Sequence, residues 1–209
     1  MMPILLSNTY KQRILIARHA NTFDKGEQLL RVGAKTNLPL SVSGKEQAVR
    51  LGQMLAQFDM KIDKVWVSNL VRTQQTANIA LETAKFNLTP IITSVLDEVD
   101  YGVDEGQPET KVIARLGKEA LLAWEQDSIV PAGWNIDVAT IVANLHNLIN
   151  NIQERDVLIV TSNGIARFLP QVLNLKIAKT ELKLNTAALG CASLHTTWDL
   201  DFWNKSELG

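Results

Sequence analysis

One cysteine, Cys191, is all that the 209 residues contain, so no intrachain disulfide can form and no cysteine pair can begin a zinc site. The three histidines, His19, His146 and His195, show no metal-ligand spacing either. No stretch approaches the roughly 20 apolar residues that a bilayer-spanning helix needs. The opening Met1 to Tyr10 is mildly apolar but lacks the basic start and longer apolar run of a secretory leader. An excess of either charge is also missing. With 21 Lys and Arg against 22 Asp and Glu, there is no overall basic field to hold a nucleic-acid backbone or an anionic membrane. Any anion must then be caught by a local cluster of cations. The Gly-x-x-x-x-Gly-Lys-Ser/Thr loop of a nucleotide kinase is absent, as are repeats, low-complexity segments and linkers. These absences predict a cytoplasmic protein with one domain, residues 1–209 with a core over about 12–200, and no nucleic-acid or membrane partner.

What is present is alternation. Short apolar runs read as strands over Arg13 to Ala17, Asp63 to Val67 and Val157 to Val160, with a third apolar stretch over Pro90 to Leu96 and a last candidate over Ala192 to Trp198. Helical spacing fills the gaps: Ala48, Leu51, Leu55 and Phe58 after a capping box at Ser43 and Glu46, then Leu70 to Ala84, Glu109 to Gln126 and Asp137 to Ile152. Strands alternating with helices predict an α/β fold, a three-layer α/β/α sandwich around a mainly parallel sheet. Ligands of such sheets bind beyond the carboxyl ends of the strands, so the residues that follow each strand carry the functional information.

Three strand ends carry chemistry. The first bears Arg18-His19: an imidazole is nucleophilic at neutral pH, and the adjacent guanidinium offers paired donors to phosphate oxygens. The second opens a helix with Arg72 in its first turn, where an arginine works against the helix dipole unless it meets an anion. The third is the acidic loop Asp97 to Gly106, in which Glu98 could protonate a leaving alcohol if burial raises its pKa. A calcium loop fails there, because Val99 or Gly102 would fall at a ligand position. Asp97 and Asp104 read as members of a solvated turn, and His146 and His195 as non-catalytic.

Taken in order, these segments resemble the histidine phosphatase superfamily, the group that includes phosphoglycerate mutases. Its Arg-His-Gly start resembles Arg18-His19-Ala20, and its Pro-Leu-Thr-x-x-Gly-x-x-Gln-Ala segment resembles Pro39 to Ala48. Its Ser-x-Leu-x-Arg-Thr-x-Gln-Thr-Ala segment is matched by Ser68 to Ala77, and its Glu-x-Asp-x-Gly-x-x-Glu-Gly pattern by Glu98, Asp100, Gly102, Glu105 and Gly106. The resemblance implies His19 as phospho-accepting nucleophile, Arg18 and Arg72 as phosphate clamps and Glu98 as proton donor. Asn21 and Arg31 fall where the family places further phosphate or substrate contacts, and residues of about 100–135 where it varies its substrate cap. No cofactor and no metal are implied, since arginines supply the positive charge.

Two departures stand out. Ala20 replaces a glycine, and Asn163-Gly164 stands where the family carries a second histidine followed by glycine, leaving a neutral amide donor near the phosphoryl group. The resemblance implies a phosphatase, or a phosphoryl-transfer enzyme, working through a phosphohistidine on a small phosphorylated metabolite, as a monomer or homodimer. A phosphatase is favoured over a phosphoglycerate mutase because mutases usually carry a longer chain with a closing insertion. The other class is a phosphate-ligand binding or regulatory module with attenuated catalysis, motivated by Asn163.

Overall fold

A computed structural model describes residues 9–58 and 61–206 of the chain. Residues 1–8, most of the segment inspected above for a leader, lie outside the described residues. Among the described residues no helix is long and apolar enough to cross a membrane.

Four parallel strands, β1 (Gln12–Arg18), β2 (Lys64–Val67), β3 (Ile91–Ile92) and β4 (Asp156–Thr161), share a sheet with an antiparallel pair, β5 (Leu189–Leu194) and β6 (Trp198–Lys205). Their order is β3-β2-β4-β1-β5-β6. Because successive side chains of a strand point to opposite faces, the buried runs of β1 and β4 feed two cores. Ile14, Ile16, Val157 and Ile159 join one, and Leu15, Ala17, Leu158 and Val160 the other. The second core is closed by α1 (Val42–Leu55) and α2 (Val71–Ala84) through Leu51, Leu55, Ala77 and Leu81. The first is closed by α3 (Glu109–Asp127), α4 (Val138–Asn150) and the one-turn helices α5 (Asn163–Ala166) and α6 (Leu169–Val172) through Trp124, Leu145, Ile149, Ile165 and Leu169. Helices thus cover both faces of a mainly parallel sheet, as the alternation predicts.

Since β1, β2 and β4 run parallel, Arg18, Val67 and Thr161 end at one edge, and the chain leaves β1 and β4 toward opposite sides of the sheet. The crevice at such a reversal is where α/β sheets hold ligands.

Several details differ from the sequence reading. The cap of α1 is Ser41, which accepts from the Gly44 N–H, while Ser43 lies inside the helix with its own N–H on Asp24. The third apolar stretch yields only the two residues of β3 before a single 3-10 turn, Ser94–Leu96. The last candidate, Ala192 to Trp198, takes in the end of β5, the hairpin turn over residues 195–197 and the first residue of β6. That hairpin carries His195 to the amino end of β1, away from the crevice, because Leu194 pairs with Gln12. Gly117 has φ +79 within α3 and kinks it, a conformation that costs glycine little.

Candidate active site

His19 follows β1 and is 7% exposed, with its N–H held by the Thr161 carbonyl at the end of neighbouring β4. Its Nδ1 lies 2.7 Å from the Ala20 carbonyl, and Arg72 Nε donates to its Nε2 at 3.3 Å. A carbonyl accepts and a guanidinium donates, so the proton sits on Nδ1 and the lone pair on Nε2. Burial pushes the imidazole pKa well below its usual value, helped by the charges of Arg72 and Arg18. The ring is therefore neutral, and its Nε2 lone pair, which here accepts from Arg72 Nε, is the one that can attack once a ligand draws that contact away. Ala20, where the resembling family has glycine, is fully buried and gives its N–H to Thr76 Oγ1 at 3.0 Å, so the added methyl is accommodated without displacing the loop.

Arg72 is fully buried, and its other donors reach the carbonyls of Thr36 at 2.9 Å and Gly33 at 3.2 Å. Those carbonyls are presented by a loop that Glu105 ties down, its Oε1 accepting from the Lys35 N–H and from Thr36 Oγ1. Glu105 thus acts on His19 through two intermediaries, which explains a carboxylate so far along the chain. Arg72 itself lies beneath the cavity surface instead of lining it. Gln47 in turn accepts the Asn21 N–H at 2.8 Å, and a side chain at Gly44 would lie 2.0 Å from the Asn21 carbonyl, so the Pro39 to Ala48 segment braces the loop after His19.

Glu98 is 7% exposed, and burial raises its pKa against the opposing pull of the Val99 N–H and the Arg72 charge. Its carboxyl oxygens take the N–H groups of Val99 at 2.9 Å and Gly164 at 3.3 Å. A Cβ on Gly164 would meet Glu98 Oε1 at 2.0 Å, a separation that real contacts do not allow. Gly164→Ala is accordingly expected to lower folding stability by about 2 kcal/mol, read by denaturant titration, since overpacking of a filled site costs in that range. A change under about 0.5 kcal/mol would mean that Glu98 is not held against this backbone.

Asn163 Oδ1 accepts the Leu184 N–H at 3.0 Å, and the Leu184 carbonyl accepts from Arg18 Nη1 at 2.9 Å. Leu184 therefore orients both, and it leaves the amide of Asn163 with only its NH₂ to offer a ligand. Asp104, read above as solvated, is instead 2% exposed, bonded to Trp134 Nε1 at 2.7 Å and paired with Arg115. Asp97 accepts from the backbone and side chain of Asn69.

Arg18, His19, Glu98 and Asn163 border a cavity of about 750 Å³, within the range that receives a small-molecule ligand. Arg18, His19, Asn21, Arg31, Glu98, Asn163 and Gly164 line it. Arg31 is paired with Glu109 and stands 5.1 Å from the Tyr101 ring centre. His146 and His195 do not reach it, and among the described residues no three His, Cys, Asp or Glu side chains converge as a metal-ligand set. Arg167 and Trp124 also form its wall, and sequence reasoning gave the first no role. A buried neutral imidazole beside arginines, in one cavity with a carboxyl whose pKa burial raises, is equipped to attack an anionic centre and protonate what leaves.

Residues 14–205 match the histidine phosphatase superfamily (branch 1). A 2,3-bisphosphoglycerate-dependent phosphoglycerate mutase of Thermobifida fusca (strain YX) is 32% identical over 119 residues, 56% of this chain and 47% of that protein. A phosphoglycerate mutase of Candida albicans is 30% identical over 57% of this chain and 48% of its own length. The chain thus spans about half the length of the curated relatives it matches. A solved mycobacterial glucosyl-3-phosphoglycerate phosphatase superposes with a TM-score of 0.74 at 22% identity, covering 93% of this chain and 99% of that one. A putative alpha-ribazole-5'-P phosphatase from Escherichia coli gives 0.71 at 18% identity, covering 95% and 98%. At these identities the structures share a fold. With the family match running from β1 to β6 and taking in His19, Arg72, Glu98 and Asn163, the chain belongs to the histidine phosphatase superfamily (branch 1).

Proposed function

We infer that the protein hydrolyses phosphate monoesters of small metabolites through a phosphohistidine on His19, without a metal. The observation that carries this is the Nε2 lone pair of a buried neutral imidazole, held by Arg72 on one nitrogen and by the Ala20 carbonyl on the other. Arg18 neutralises the phosphoryl oxygens from the cavity wall and Arg72 adds its charge from beneath, with Asn21, Arg31, Asn163 and Gly164 contacting phosphate or substrate. His19 Nε2 attacks phosphorus in line and forms a P–N bond while the P–O bond to the alcohol breaks. The Glu98 carboxyl gives its proton to the departing oxygen. Water then attacks the phosphoryl group, the Glu98 carboxylate takes a proton from it, and the P–N bond breaks to release orthophosphate and restore neutral His19.

Hydrolysis is preferred to mutase chemistry because it requires only that water reach the phosphohistidine, whereas a mutase must keep its phosphoenzyme from water and return the phosphate to a bound intermediate; phosphoglycerate mutase activity is the alternative. Residues of about 100–135 serve as the substrate cap, a reading supported by Tyr101, Glu109, Trp124 and Glu125 in the cavity wall. Turnover of a generic aryl phosphate with chelator present tests this. Activity that survives chelation is expected, and its loss would sink the metal-free mechanism.

Asn163 occupies the place of the family's second histidine, which favours a second reading, a binding module with attenuated catalysis. A neutral donor gives up about 1 kcal/mol to a charged one, close to a tenfold rate. Asn163→His is therefore expected to raise kcat by about tenfold on the same ester. An unchanged or lower rate would mean that the site is built around an amide whose oxygen must stay on Leu184.

A further inference from the structure

Arg167 is a buried cation of the cavity wall that the chemistry above leaves unused. It is 4% exposed and lines the cavity, yet no carboxylate comes within 4.0 Å of it among the described residues. Its Nη2 donates to the Glu125 carbonyl, its guanidinium lies 4.6 Å from the Trp124 ring centre, and its buried Nε has no partner. A buried guanidinium without an ion pair is costly, so its retention in the wall of a cavity points to a ligand anion. The scissile phosphoryl group does not meet that need. A phosphate dianion is balanced by Arg18 and Arg72, and the positive charge of Arg31 is answered by Glu109.

Position separates the two sites. Arg167 follows Asn163 by four residues, and its N–H bonds to the Asn163 carbonyl, so the two side chains share one face of the α5 turn. Residues so spaced stand about 5–6 Å apart at Cβ. Arg167 therefore lies one turn from the amide, on the side of Trp124 of α3.

Resting on the phosphatase reading of the same cavity, we propose that Arg167, backed by the Trp124 ring, binds a second anionic group of the substrate. The protein selects phosphate monoesters that also carry a carboxylate or a second phosphate on the α3 side. A guanidinium beside an indole keeps paired N–H donors to offer, which suit the planar, two-oxygen face of such a group.

The test compares phenyl phosphate with its meta- and para-carboxylated forms, and each ester with its non-hydrolysable phosphonate. The preference of wild type, taken as the ratio of kcat/KM for the better acidic ester to that for the uncharged ring, is expected to be about 30-fold, carried mainly by KM. Arg167→Gln should bring the ratio close to one, and Arg167→Lys should restore part of it. A ratio already near one in wild type, or unmoved by Arg167→Gln, overturns the proposal. A purely structural Arg167 would depress both esters together and leave the ratio intact. Titration calorimetry of the phosphonates reads the same ratio without turnover. If no ester is hydrolysed while wild type still binds the acidic phosphonate about 30-fold tighter, the catalytic reading fails and the second anion site stands. Should Arg167→Gln fail to fold, the wild-type preference and the Arg167→Lys variant still decide.

Discussion

Replacing His19 with alanine is expected to cut kcat on an aryl phosphate by at least about 10⁴-fold, some 5.5 kcal/mol in the barrier, while KM changes little. The split follows from the geometry. Arg18, Arg31 and Asn163 all line the cavity without depending on the imidazole, so ground-state binding of the ester survives. What disappears is the atom that forms the P–N bond, and no other histidine borders the site. Removing the nucleophile of a catalytic unit costs far more than removing one hydrogen-bond donor. Circular dichroism separates this from misfolding. A loss under tenfold would mean that water attacks directly and that His19 merely positions Arg72.

Glu98→Gln has the second largest expected effect, about 10²- to 10⁴-fold in kcat for an alkyl phosphate, whose leaving oxygen needs a proton. For a nitrophenyl ester, which leaves as a stable phenolate, the loss should be far smaller in the phosphorylation step. An equal loss on both would contradict the proton-donor role. The pKa directions make the case sharper. At ordinary values near 6.5 for His19 and near 4.5 for Glu98, neutral imidazole and protonated carboxyl coexist in fewer than about one molecule in a hundred at any pH. Burial lowers the first and raises the second, so the two needed states overlap. The kcat/KM profile of the free enzyme should be a bell, its acid limb below the usual histidine pKa and its alkaline limb above the usual carboxyl pKa. Glu98→Gln should remove the alkaline limb.

The same shift predicts a stability effect with a definite sign. A carboxyl whose folded pKa is raised holds its proton more tightly when folded. That stability is present below the unfolded pKa and is lost as pH rises through the folded one. Glutamine cannot lose a proton, so the Glu98→Gln protein should lose less stability than wild type as pH rises from acid to neutral, even as its turnover collapses.

Much of the fold was legible because local pattern and global structure agree. Ile14 to Ala17 and Val157 to Val160 read as buried strands and are buried on both faces. Arg72 read as out of place in a helix's first turn, and it is held there by Gly33, Thr36 and His19 in place of solvent. Other features depend on approaches that no spacing encodes. The hairpin turn of His195 was hidden because β5 and β6 merge into one partly alternating stretch. Asp104 lies in an acidic run that resembles a solvated turn, and only the packing of Trp134 and Arg115 against it makes it a buried anchor. Arg167 carries no local signature, since an arginine four residues past Asn163 gains meaning only when α3 brings Trp124 to its face.

The most direct test of the central claim is to trap the enzyme during turnover. Wild type mixed with a labelled aryl phosphate and quenched in base should carry one phosphoryl group on the peptide that contains His19, stable to base and lost in acid. The His19→Ala protein should carry none. Wild type that turns over the ester yet shows no such adduct, or an adduct on another residue, would contradict a phosphohistidine at His19.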